Sequence, residues 1–119
     1  MKVNRIVANI AAPSSDAMQA AQRFYGELLG LDLLMDHGWI VTYGSAAQMT
    51  VQMSVATEGG GGTPVPDLSI EVDDVDEALA LMRAAGVAIA YGPADEPWGV
   101  RRFYVRDPLG RLLNILAHR

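Results

Sequence analysis

The clearest pattern in the chain is a strict alternation over residues 48–55. Gln48, Thr50, Gln52 and Ser54 project to one side, and Met49, Val51, Met53 and Val55 to the other. That period of two predicts a half-buried strand. Upstream, the β-branched run at 3–10 predicts another. Between them Met18, Ala21, Tyr25 and Leu28 recur at helical spacing with Phe24 beside them, after a serine N-cap in Pro13-Ser14-Ser15 and before a stop at Gly30. Residues 31–35 and 39–43 predict two short strands around the turn Asp36-His37-Gly38.

The same grammar returns downstream. Residues 68–72 predict a strand, and Asp74 with Glu77 makes a capping box. Val75, Ala78, Leu79 and Met82 then form one apolar stripe ending at Gly86. Strands are predicted at 87–91, 100–106 and 112–117, with 92–99 a loop and Asp107-Pro108-Leu109-Gly110 a β-turn. Both halves therefore read strand–helix–strand–strand–strand, about 1–56 and 67–119. Residues 57–66, with four consecutive glycines and two prolines, read as a flexible linker. One βαβββ unit has too little core alone, so two should pack together, within a chain or between chains.

Composition narrows the classes. The 119 residues suit a single domain, and 50% apolar against 19% charged excludes a disordered tail. No apolar run approaches the roughly 20 residues of a membrane span, and MKVNRIVANI lacks a signal-peptide layout. The absence of cysteine removes disulfides and thiolate chemistry and fits a cytoplasmic location. A net charge of −5 opposes a phosphate-binding surface, so nucleic acid and membrane are not expected partners. Arg101, Arg102, Arg106 and Arg111 do not share one strand face; they are expected to face solvent or to pair with Asp95, Glu96 and Asp107. His37 and His118, the only histidines, read as a solvated turn residue and a terminal one, without metal-ligand spacing. No nucleophile elbow or phosphate loop is present.

The stretch from Asp95-Glu96-Pro97-Trp98-Gly99 through Arg101, Phe103 and Asp107-Pro108-Leu109-Gly110 to Asn114 resembles a segment of the vicinal oxygen chelate superfamily. That superfamily comprises glyoxalases, extradiol dioxygenases, fosfomycin-resistance enzymes and bleomycin-resistance proteins. Phe24-Tyr25-Gly26-Glu27-Leu28-Leu29-Gly30 and Val72-Asp73-Asp74-Val75-Asp76 are similar to two further family motifs. The resemblance implies an α+β fold in which tandem βαβββ modules form a curved mixed sheet around a groove, the glyoxalase/bleomycin-resistance fold.

Metal-dependent relatives hold one divalent ion with ligands from the first and last strands of each module. The resemblance maps those places onto Arg5, Gln52, Asp67 and Asn114. A guanidinium has no lone pair to offer, and amides are weak ligands, so no metal and no cofactor are expected. Opposite charges at Arg5 and Asp67 suggest an ion pair in the metal's place. The remaining groove is expected to be lined by Asn9, Trp39, Tyr43, Ser69 and Trp98 as well. The reading is a metal-independent small-molecule binding protein rather than an enzyme, resembling bleomycin-resistance proteins. It would be an acidic homodimer that sequesters a cationic or aromatic ligand, conferring drug or toxin resistance. The alternative is a metal-dependent lyase, isomerase or dioxygenase acting on a small oxygenated substrate.

Overall fold

A computed structural model of the chain describes residues 4–5, 7–48 and 52–119. Its C-terminal half is a complete βαβββ unit. Strands β3 (Leu68–Glu71), β4 (Ile89–Glu96), β5 (Val100–Arg106) and β6 (Leu112–His118) form one sheet in the order β3-β6-β5-β4, with β3 parallel to β6 and the other pairs antiparallel. Helix α2 (Val75–Ala84) crosses one face. The Asp74 carboxylate caps it by accepting from Glu77 N at 3.0 Å. Val75, Ala78, Leu79 and Met82 are the buried stripe of α2, clustered with Phe103, Val105, Leu113 and Ile115 of the sheet.

Strand β4 is longer than expected, running through 92–96 where a loop was anticipated. Register shifts between Ile89 and Ala94 absorb Gly92-Pro93, whose missing N–H would otherwise interrupt the ladder.

Among the described residues the N-terminal half forms fewer elements. Helix α1 (Ser15–Ala21) starts where Ser14 Oγ accepts from Ala17 N at 3.1 Å. It continues as a π-helical stretch, Gln22–Leu28, in which Leu29 N reaches back to Phe24 O at 3.0 Å. Strands β1 (Asp32–Asp36) and β2 (Val41–Gly44) then pair as an antiparallel hairpin. Two expected strands differ. Of the run 3–10, residues 3 and 6 lie outside the described residues, and the remainder carries no strand. Of 48–55, residues 49–51 lie outside them, and 48 and 52–55 carry none either. A strand needs a neighbour for its N–H and C=O groups and a buried face to fix its register. Among the described residues neither is supplied: Met53 and Val55 are exposed.

The halves meet through the helical region. Ala21, Phe24 and Tyr25 join the α2 core, and the Tyr25 hydroxyl donates to Asp107 Oδ2. Asp107 is itself buried, and its Oδ1 accepts from Leu109 N at 2.9 Å and Arg111 N at 2.8 Å. One carboxylate thus shapes the β5–β6 turn and ties it to the N-terminal half. Burial pushes the Tyr25 hydroxyl above the usual tyrosine range, and the hydrogen bond and charge of Asp107 push it further. Among the described residues no helix is long and apolar enough to cross a membrane.

Candidate functional site

The sheet face opposite α2 is where polar side chains collect. Strand alternation sends Phe103 and Val105 to α2, and Arg102 and Tyr104 to this open face. Register then places Ser69, Asn114, Tyr104 and Tyr91 in one row across all four strands. Asn114 Nδ2 donates to Ser69 Oγ at 3.1 Å, while its buried Oδ1 has no partner among the described residues. At the β3–β6 edge, His118 Nδ1 lies 2.7 Å from Glu71 Oε1, both side chains well exposed.

Apart from Trp98, which lies beside Arg102, the expected site residues divide into four groups. Ser69 and Asn114 are brought together as described. Asn9 and Asp67 also share a place: with Ala8, Ile10, Leu68 and Arg111 they line a cavity of about 190 Å³. Arg5, Gln52 and Trp39 are all exposed and lie outside regular structure. Tyr43 turns inward instead, its ring stacked on Tyr25 with centroids 6.2 Å apart. Burial raises the Tyr43 hydroxyl pKa above its ordinary value, with the charge of Asp36 adding to it.

Arg5 and Asp67 form no ion pair, a correction to the expectation above. Asp67 Oδ2 instead accepts from Leu112 N at 2.8 Å, because the first residue before β3 lies beside the start of β6. Arg5 has no ladder to fix it against Asp67. As metal donors the four mapped positions fit poorly. One is a guanidinium, two are amides, and the single carboxylate is engaged by a backbone N–H. Among the described residues no three His, Cys, Asp or Glu side chains converge.

The sequence named Trp98 and offered Glu96 as a partner for the arginines, but not the cluster they form with Tyr91 and Tyr104, the most organised on this face. Arg102, expected at the surface or paired with an acid, is buried and pairs with Glu96, Nε to Oε1 at 3.3 Å. Its guanidinium carbon lies 5.0 Å from the Trp98 and Tyr104 ring centroids and 5.4 Å from that of Tyr91. Removing one partner of a buried ion pair costs about 3–5 kcal/mol, because the other charge is stranded. The Tyr91 hydroxyl donates to Glu96 Oε1 at 2.5 Å. That bond raises the Tyr91 pKa above its ordinary value, with burial and the Glu96 charge adding and Arg102 opposing. The only signal in the sequence was the i, i+2 spacing of Arg102 and Tyr104, which puts them on one face. Arg101 points the other way, to Asp76 at 3.0 Å and Asp95 at 3.2 Å.

The profile of the Glyoxalase/Bleomycin resistance protein/Dioxygenase superfamily matches residues 10–115. No curated protein matches the chain. Solved structures do. TnmS3, described as an antibiotic binding protein from Streptomyces sp. CB03234, is 26% identical with a TM-score of 0.62, over 86% of this chain and 87% of its own. TioX from Micromonospora sp. ML1 is 24% identical with a TM-score of 0.61, over 98% and 97%. A glyoxalase/bleomycin resistance protein from Streptomyces sp. CB03234 is 27% identical with a TM-score of 0.55, over 82% and 89%.

Proposed function

Because the chain belongs to the Glyoxalase/Bleomycin resistance protein/Dioxygenase superfamily, we propose that it is a metal-independent binding protein that sequesters a cationic or aromatic small molecule, a drug or toxin. The observation that carries this reading is the donor set. Arg5, Gln52, Asp67 and Asn114 offer one carboxylate, already held by Leu112 N. Similarity to TnmS3, an antibiotic binding protein, supports a binding role. The net charge of −5 favours cations at long range. Trp39 and Trp98, 80% and 51% exposed, offer rings on which a flat ligand stacks.

A homodimer completes the groove in this reading. The cavity beside Asn9 and Asp67, about 190 Å³, is smaller than the roughly 300–1,000 Å³ that encloses a drug-sized ligand. Among the described residues strand β3 and the β1–β2 hairpin leave sheet edges unpaired, and Leu33, Leu34, Met53 and Val55 present apolar surface for a second copy. A cytoplasmic location belongs to this reading, since a cysteine-free composition fits a reducing compartment.

The test is titration with a cationic planar dye of the acridine class and with an anionic dye of similar size, read by tryptophan fluorescence with and without EDTA. Saturable quenching by the cation, unaltered by EDTA, is expected. Stoichiometric Zn, Ni, Mn or Fe surviving dialysis would overturn metal independence. A monomer mass by light scattering at micromolar concentrations would overturn the dimer.

A further inference from the structure

The segment between the halves is docked, although its four glycines read as a flexible linker. Gly59 N donates to Thr63 O at 2.7 Å and Thr63 N to Gly60 O at 3.1 Å, closing a tight loop. Gly62 N donates to the Glu58 carboxylate at 3.1 Å. The loop lies on the open face. Arg102 Nη1 donates to Gly59 O at 2.7 Å and Nη2 to Gly60 O at 3.2 Å. The Tyr104 hydroxyl is 3.0 Å from Thr63 Oγ1 and reaches the carbonyls of Gly59 at 3.3 Å and Pro64 at 3.4 Å. The chain then runs to the far edge, where Asp67 N donates to Leu112 O at 2.8 Å.

Gly59 and Gly60 are demanded by this docking. A Cβ at Gly59 would lie 2.1 Å from Pro64 O and 2.5 Å from the Tyr104 hydroxyl. One at Gly60 would lie 2.7 Å from the Trp98 ring, and Gly60 has φ +89°. A free linker has no such requirement. Arg102 meanwhile spends its donors on backbone carbonyls that only this segment supplies, with Glu96 balancing its charge behind the sheet edge.

We propose that residues 59–64 are a latched strap. Arg102, a positioning residue seated among Tyr91, Trp98 and Tyr104, holds the strap across the open face from β5 towards β3. The strap opens as a unit while the sheet stays folded, and its opening uncovers Tyr104 and the inner side of the Trp98 ring. The energetic basis is local. Two loop-closing backbone bonds and the Arg102 and Tyr104 contacts hold the strap, whereas β5 and β6 are held by a full ladder and the α2 core. Access to this face is thereby set by a contact within the chain, whatever the face binds.

The test is amide hydrogen exchange on the full chain, comparing wild type with the double variant Arg102→Gln/Glu96→Gln, which strands no buried charge, together with acrylamide quenching of Trp98 in a Trp39→Phe background. In the variant the Gly59 and Thr63 amides should exchange about tenfold faster or more, while the Phe103 and Ile115 amides change by less than about twofold. Quenching of Trp98 should rise in step. Strap amides that keep their wild-type rates overturn the latch. Acceleration of strap and sheet together overturns it too, since Arg102 would then only hold the sheet. Should the double variant fail to fold, Gly60→Ala carries the test. It leaves Arg102 and Glu96 intact but drives a methyl against Trp98, and the same local pattern is expected. Wild-type exchange at Gly59 and Thr63 in that variant refutes the strap.

Discussion

The two halves of this chain are written in the same order of elements, yet among the described residues only one builds a full sheet. Among the described residues, twelve of the fifteen buried apolar ones belong to the C-terminal half; the N-terminal half contributes Ala21, Phe24 and Tyr25. The C-terminal half owes its completeness to economy of connection and density of apolar residues. Asp107 closes the β5–β6 turn with two of its own hydrogen bonds, and β5 and β6 then pair over seven residues. Beside β2 no described segment takes up the ladder, and the apolar side chains of 53 and 55 stay in solvent. Order of elements specifies what a half can become. Burial decides whether it becomes that within one chain.

The largest expected effect breaks the comparison at its core. Phe103 is fully buried under α2, so Phe103→Ala should cost about 3–5 kcal/mol in chemical unfolding. Leu34→Ala, on the exposed hairpin, should cost well under half as much at concentrations low enough to keep the chain monomeric. Equal losses would mean that the N-terminal hairpin is as well packed as the sheet.

The tie between the halves comes next. Tyr25→Phe leaves the buried Asp107 Oδ2 without its donor and should cost about 1–3 kcal/mol. It also carries a pH dependence. The folded state holds the Tyr25 hydroxyl neutral above the ordinary tyrosine pKa. Its stabilisation is therefore complete below about pH 10 and is lost as pH rises beyond that, where the unfolded state releases the proton first. Melting temperature should fall above about pH 10 in wild type and fall less steeply in Tyr25→Phe. Parallel curves would show that other tyrosines carry the effect.

Helix capping sharpens the contrast more gently. Asp74→Ala removes the cap of α2 and should cost about 1 kcal/mol by thermal melt. Ser14→Ala removes the equivalent bond of α1 and should cost less, because α1 is shorter and buries only Ala21. The reverse ranking would place more of the stability in the N-terminal half than its burial indicates. The smallest effect is expected at the surface. Arg101 bridges Asp76 and Asp95, both carboxylates exposed, so Arg101→Gln should change stability by no more than about 1 kcal/mol, less at high salt.

Much of this molecule was legible before its structure. The α2 stripe, its Asp74 cap, the strand at 100–106 and the turn at 107–110 all occur where periodicity and turn chemistry put them, because each is decided by residues within a few positions. The α+β class and the family followed from the motifs around Trp98 and Asp107. The candidate site was legible only in part. Ser69 and Asn114 meet because they share a strand face and a register. The Arg5–Asp67 pair failed because a mapped position is not a distance. Asp67 had a nearer donor in Leu112 N, at fixed range once β3 lies beside β6.

The sequence by itself determined element order, helix caps, turn positions and which residues share a strand face, since all of these depend on short-range geometry. Tertiary structure decided three other things. Met53 and Val55 remain exposed, because apolar alternation cannot create the surface it needs to pack on. Tyr43 faces the core rather than the groove, because the Tyr25 ring stands beside it. Gly59 and Gly60 lie against the sheet, because Arg102, Tyr104 and Trp98, some 40 residues away in sequence, lie close enough to hold them. Local rules cannot see such contacts. They require the sheet to exist first, and only then does the open face present the donors and rings that fix the chain above it.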